Sequence, residues 1–339
     1  MLFALVSPAF PQTGDLSVEG EKHLKNIKQL TFGGENAEAY FSFDGRKLIF
    51  QSKRDALECD QIFTMNIDGS NVKRVSNGEG RTTCSYFFKG GKKVLYASTH
   101  GGAKECPPNP DFSKGYVWAI YPDYDIYTST PDGKNIKKMT DSPGYDAEAT
   151  ISPDGKKIIF TSERDGDLEL YSMDASGKNV KRLTFEPGYD GGAFFSPDNK
   201  MIVYRGSHPA DEKLVQRDKE FLIDHLIVPI TFEVWTMNAD GSNKKQVTKL
   251  NAASFAPFFT PDGKRIIFCT NHFATDERKR NFDLAVINID GTNLQRITFN
   301  ESFDGFPMFS PDGKKLVFAS NRNAAKTGDT NVFIADWIE

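Results

Sequence analysis

Only four cysteines, five histidines and three tryptophans occur in the 339 residues. Four thiols are too few for a disulfide scaffold, and they lack the paired short spacing of a structural zinc site. No apolar stretch approaches the roughly 20 residues of a membrane-spanning helix, which excludes an integral helical membrane protein. Neither sign of charge dominates: 42 Lys+Arg stand against 46 Asp+Glu, a net charge of −4. No Lys/Arg run is long enough to supply an electrostatic footprint for nucleic acid. Also missing are a Gly-x-Ser-x-Gly nucleophile elbow and a Gly-rich loop opening a helix, so serine-hydrolase and nucleotide chemistry have no local signature.

Phenylalanine is plentiful, at 28 residues, and recurs inside short apolar runs that read as strands. A hydrophobic content of 38% and a charged content of 26% describe a folded chain with ample length for a core. Met1–Pro11, MLFALVSPAFP, reads as the tail of a signal peptide, an apolar stretch followed by small residues and proline. Residues 1–24 are therefore expected to be an N-terminal extension, and the protein to be exported.

Self-similarity carries the architecture. An L-T pair, a loop with acidic residues, F-S-P-D-G, an apolar strand ending in Ser-x-Arg or a variant, and I-Y-x-M-x-x-D-G recur along the chain, most clearly from Met139 to Gly177. Gly45, Gly91, Gly155, Asn199, Gly263 and Gly313 mark six first-hairpin turns. Asp-Gly-type pairs flanked by alternating β-branched and aromatic residues are hairpin signals, because Gly tolerates the positive φ of the turn. A second hairpin, at Asp68-Gly69, Asp132-Gly133, Ser176-Gly177, Asp240-Gly241 and Asp290-Gly291, occurs in five units. The sixth unit has only three strands, and Asn26–Thr31, NIKQLT, matches the missing fourth (VKRLT, LQRIT). The expectation is an all-β, six-bladed propeller of four-stranded antiparallel blades over 25–339, its ring closed by the strand near 26–31.

These repeats resemble those of the TolB-like β-propeller family, from about Lys25 to the C-terminus. The resemblance implies a periplasmic or secreted binding propeller, and brings no particular reaction with it. Because only residues 1–24 precede the first blade, the small domain that precedes the propeller in Tol–Pal members of the family is not expected.

Long insertions, near 101–123, 207–231, 273–281 and 323–330, all fall on the face opposite the tight turns, and long loops on a rigid scaffold concentrate binding residues. The segment after His208 carries Leu214, Val215, Phe221, Leu222 and Leu226 on one helical stripe, either a lid over the channel or a cover for blade edges. The stretch from Cys106 to Tyr124 either rims a cleft or packs as a compact loop. The second strands end in Arg54, His100, Arg164, His208, His272 and Arg322. His100, His208 and His272 with a carboxylate have the ligand types of a divalent-metal site, whether a transition metal or, with the acidic ring, calcium. Oligogalacturonate-lyase propellers, with related repeats and a His-bound metal, resemble this chain in that feature, which implies a metal-dependent lyase or hydrolase as the alternative function. The competing reading pairs each Arg or His with an acid of the adjacent crossing loop, as mortar between blades.

Glu35, Glu38, Asp146, Glu148, Asp190 and Asp304 begin the innermost strands and are expected to ring the channel mouth, together with Arg54, Arg164 and Arg322, as a ligand-binding site. Cys59, Cys84 and Cys106 lie on the insertion face of neighbouring blades; Cys59–Cys84 is the expected disulfide, Cys106 the competing partner, and Cys269 a buried free thiol. The leading expectation is an exported, non-catalytic propeller binding a protein or peptide, an envelope component or a glycan on the insertion face, with no firm cofactor.

Overall fold

The computed structural model of the chain describes residues 16–275 and 280–339. The signal-peptide reading of Met1–Pro11 lies outside the described residues, as does part of the insertion at 273–281. Six four-stranded antiparallel sheets succeed one another along the chain. Their innermost strands are Glu35–Phe41, Thr82–Phe87, Asp146–Ile151, Tyr189–Phe195, Ser254–Phe259 and Asp304–Phe309. Leu24–Gln29 pairs antiparallel with Asn331–Trp337, so the sixth blade takes its outer strand from the N-terminal end, two residues earlier than the repeat suggested. Among the described residues no helix is long and apolar enough to cross a membrane.

The repeat motifs have local physical causes. In the first hairpin a Ser or Thr hydroxyl donates to the Asp two residues on, as in Ser152–Asp154 and Ser310–Asp312 at 2.7 and 2.6 Å. That Asp accepts from the backbone two residues further, and the next position has a positive φ, which Asn199 (φ 62°) supplies where the other repeats use Gly. In the L-T pair the hydroxyls of Thr31, Ser76, Thr140, Thr184, Thr248 and Thr298 accept the third-strand N–H of their own blade at 2.8–3.0 Å. The hydroxyl replaces a ladder bond there, so outer strands such as Lys181–Arg182 are only two residues long.

Abundant aromatics fill one repeat position. Phe50, Tyr96, Phe160, Tyr204, Phe268 and Phe318 are fully buried on the second strands. Five of them stack on the third-strand partner: Phe63, Tyr127, Tyr171, Trp235 and Phe333 respectively, with centroids 5.8–6.5 Å apart. The blades thus pack on aromatic layers, and one further tier closes the axis. Tyr40 of blade one meets Phe194 of blade four at 5.5 Å, with Tyr86 and Phe258 against the same ring. The channel is plugged at this level.

Candidate functional site

Each innermost strand breaks register once, between Ala37/Tyr40, Thr83/Tyr86, Ala147/Thr150, Gly191/Phe194, Phe255/Phe258 and Gly305/Met308. One residue in each bulge has a left-handed φ of 49–58°: Glu38, Cys84, Glu148, Gly192, Ala256 and Phe306. A bulge re-aims a side chain, and here six equivalent bulges aim six positions at the axis above the aromatic plug. The result is a cavity of about 760 Å³, lined by all six. Its wall is mostly polar at blades one to three and mostly apolar at blades five and six, where Phe255, Phe303 and Phe306 pack together and Asn321 and Thr330 are the polar lining residues.

Blade four supplies Gly192 at the ring position, and the guanidinium of Arg205 fills the space. A Cβ at Gly192 would overlap Arg205 Nη1. Arg205 is 6% exposed and forms an ion pair with Glu148 of the neighbouring blade. Glu148 also accepts from Thr161 Oγ1 at 2.7 Å, the Gly192 N–H at 2.9 Å and Tyr189 Oη at 3.0 Å. Burial acts to raise the Glu148 carboxyl, but the charge and hydrogen bonds of Arg205, with these other donors, hold it below the ordinary carboxylate range. Arg205 further lies over the rings of Tyr189, Phe232 and Trp118, 4.8, 5.6 and 5.7 Å from their centroids.

Sequence reasoning missed Arg205. The signal was available three residues before the Arg/His column, where the repeats read Gln51, Ala97, Thr161, Arg205, Cys269 and Ala319. A single charge in a column of small or neutral residues marks a position with a different task.

Two insertions form the cap. Trp118–Ala119 from blade two pairs antiparallel with Leu226–Ile227 from blade four, bridging above blade three. Lys114 and Asp224 add an ion pair at 2.5 Å. Trp118 stacks near Phe232 and meets Phe255 edge-on at 5.8 Å, so this ribbon reaches over the cavity. The helix itself spans Glu212–Ile223, capped by Asp211. Its Val215 and Leu222 face Leu168, Tyr189 and Phe232 at the junction of blades three and four, whereas Leu214 and Ile223 are exposed. The helix covers blade edges, and the ribbon beyond it covers the mouth.

Cys59 bonds Cys106, with Cα atoms 5.7 Å apart, which corrects the expected Cys59–Cys84 pairing. Cys84 occupies the bulge and points into the cavity, while Cys106 rides the blade-two insertion back to blade one. Burial, foremost, and the nearby Glu38 and Glu148 charges push the Cys84 thiol well above its ordinary pKa, so it is a neutral lining group. Cys269 is buried and free, donating to the Phe255 carbonyl at 3.2 Å.

Of the predicted residues, the structure brings Glu38 and Glu148 together in the cavity, with Cys84 and Glu35 also lining it; the others do not line it. Arg164 pairs with Asp146 at 2.9 Å, Arg322 with Asp304 at 2.9 Å and His208 with Asp190 at 2.9 Å. Arg54 donates to Asn36 at 3.1 Å. Each pair joins two strands of one blade, so the expected mortar between blades is mortar within a blade. Arg54, Arg164 and Arg322 also cover the aromatic pair of their own blade. Arg322 additionally holds Glu21, both Glu21 and Asp304 being buried, which fastens part of the expected extension to blade six. His100 lies over Tyr127 and bonds Ser98, and His272 meets Phe273. Among the described residues no group of three or more His, Cys, Asp or Glu is arranged to hold a metal ion. The three histidines each turn to their own surroundings at a blade's edge, so the expected cluster does not assemble.

Glu38 behaves differently from Glu148. Burial, chiefly, and the Glu148 charge push its pKa from 4.5 to about 7, with contacts to Cys84 and Arg205 acting the other way. The folded state therefore keeps a proton that the unfolded chain has released, and stability should fall as pH rises from about 4.5 to about 7, then level off. Glu38→Gln should abolish that dependence, making the variant more stable than the parent by about 3 kcal/mol at pH 8 and equal to it at pH 4. Urea melts at the two pH values check this; parallel pH profiles for the two proteins would contradict it.

A plugged ring of six four-stranded blades with a capped cavity at one mouth defines the class of the protein as a six-bladed β-propeller. The chain belongs to the TolB beta propeller domain family, which matches residues 118–223 and 230–336. A curated relative, the Tol-Pal system protein TolB of Bordetella pertussis, is 50% identical over 38 residues, covering 11% of this chain and 9% of that protein, so the match spans under a tenth of the relative's length. Among solved structures, TolB from Acinetobacter baumannii superposes with a TM-score of 0.58 at 18% identity, covering 89% of this chain and 63% of that one. An oligogalacturonate lyase in complex with manganese does so with a TM-score of 0.54 at 13% identity, covering 97% of both chains. At these identities the structural likeness shows the fold alone.

Proposed function

We propose that this protein is an exported, non-catalytic binding propeller that takes a protein, peptide or glycan ligand into the capped cavity on its insertion face. The observation that carries the reading is the cavity itself: about 760 Å³, floored by the aromatic plug and roofed by an inter-insertion ribbon. Pockets of this size with a few convergent polar groups among aromatics are where ligands bind. The Cys59–Cys106 bond suits an oxidising compartment, which supports export. An envelope partner is the proposal that the Tol-Pal relatives suggest. The binding rather than catalytic reading rests on Glu148, whose oxygens are engaged by Arg205, Thr161, Tyr189 and Gly192 and so anchor the wall.

Ala256→Trp tests it, because Ala256 lines the cavity opposite the polar wall and already adopts its left-handed φ. Peptide and glycan libraries are screened by thermal shift against wild type and variant. A ligand that raises the wild-type melting temperature should have no effect on the blocked protein. Undiminished binding by the blocked variant would move the site elsewhere.

A further inference from the structure

We infer that the ligand is a neutral, short oligosaccharide held with its ring faces on the apolar wall and its hydroxyls on the polar wall. This rests on the cavity reading above and narrows it to one chemical class.

The charged groups lining the cavity are already matched. Glu148 is paired with Arg205, Asp60 faces Arg81 at 3.5 Å, and Glu35 faces Lys53 at 3.7 Å. Glu38 is the remaining carboxyl, and its surroundings favour the protonated form below about pH 7. A strongly anionic or cationic ligand would find no uncompensated counter-charge and would lose its hydration, which costs several kcal/mol per ion. A ligand without charge avoids that cost.

What the wall offers is directional hydrogen bonding mainly on one side; on the other, the polar lining residues are Asn321 and Thr330, and Thr330 Oγ1 already donates to Asn321 Oδ1 at 2.8 Å. Arg205 presents its guanidinium over Gly192. Gln51 has its carbonyl held by Thr83 Oγ1 at 2.7 Å and Cys84 N at 3.3 Å, leaving its amide nitrogen as a donor. Glu38 both donates and accepts when protonated. Opposite Gln51 and Glu38 stand Phe306 and Phe255, and the half-buried Trp118, packed between Phe255 and the Arg205 guanidinium, adds a further flat apolar surface. A ring compound with polar edges and apolar C–H faces fits this split, and pyranoses have that form. A peptide would bring an amide backbone, charged termini or both toward the mostly apolar half, where polar groups have few partners.

The test is calorimetric titration of the full chain with panels of neutral, uronate and amino-sugar oligosaccharides and with a peptide library, using wild type, Trp118→Ala, Gln51→Leu and Ala256→Trp. Each variant is first shown by circular dichroism to melt cooperatively. Gln51→Leu keeps side-chain volume and guards against Trp118→Ala acting through a loosened cap. A neutral oligosaccharide should bind wild type, weaken at least tenfold in Trp118→Ala and in Gln51→Leu, and fail to bind Ala256→Trp. Should a peptide or a charged sugar bind better than every neutral one, and still be lost in Ala256→Trp, the saccharide inference is overturned while the cavity reading stands. Binding that survives in Ala256→Trp overturns both, and a wild-type protein that binds no member of the neutral panel overturns the inference.

Discussion

Replacing Arg205 with methionine should destabilise the protein by about 3–5 kcal/mol, the range for stripping a buried charge of its partner. Methionine keeps much of the volume beneath Trp118, Tyr189 and Phe232, so the loss comes mainly from Glu148. That carboxylate would keep its hydrogen bonds from Thr161, Tyr189 and Gly192 but lose the cation beside it. Its folded-state pKa, now held below the ordinary range, should then rise above the unfolded value. The destabilisation should accordingly be larger at pH 8 than at pH 5, because the folded state must either bury a charge or keep a proton that the unfolded chain gives up. Arg205→Met combined with Glu148→Met should recover most of the loss, since replacing both partners removes the uncompensated charge. Urea denaturation of the single and double variants measures this directly. A single variant within about 1 kcal/mol of wild type would mean that the pair contributes no more than an exposed salt bridge does.

The second large effect concerns the cap. Cys59 and Cys106 are 47 residues apart, and the bond closes a loop containing the whole of blade two's inner hairpin. Chain-entropy arguments put the constraint on the unfolded state at about 4 kcal/mol for a loop of this length, and measured losses commonly run from about 2 kcal/mol upward. Cys59→Ser with Cys106→Ser should therefore lower the melting temperature markedly, and a reductant should do the same to wild type while leaving the variant unchanged. Cys84→Ser should be nearly neutral, because that thiol lines the cavity without a disulfide partner. An unchanged melting temperature in the double variant would show that the insertion is anchored by the ribbon and the Lys114–Asp224 pair alone.

The cysteines also show where sequence reading stops. All three were placed on the right face by blade counting, yet the choice between Cys84 and Cys106 depended on a bulge that no spacing rule reveals. The Arg/His column is similar. Its recurrence was visible, and so was the acid at the start of each inner strand, but a one-dimensional repeat does not say whether the two meet across blades or within one. They meet within one, because the antiparallel pairing of first and second strands sets Asp146 opposite Ser162 and Asp304 opposite Ser320, two residues from Arg164 and Arg322.

Fold and blade number were determined by the sequence alone, for a local reason. Ser-Pro-Asp-Gly turns, L-T hydroxyls and alternating aromatics each direct a few neighbouring residues, and six copies of the same local instruction add up to a ring. The site was decided by tertiary structure, because it belongs to no single repeat. Glu38, Cys84, Glu148 and Phe306 share a wall only when the six bulges converge on the axis, and Arg205 reaches it only because blade four leaves a glycine there. The cap likewise exists only when insertions over 100 residues apart in the chain pair above the intervening blade, as Trp118 does with Ile227. Repetition specifies the scaffold, and departures from repetition, brought together by closure of the ring, make the site.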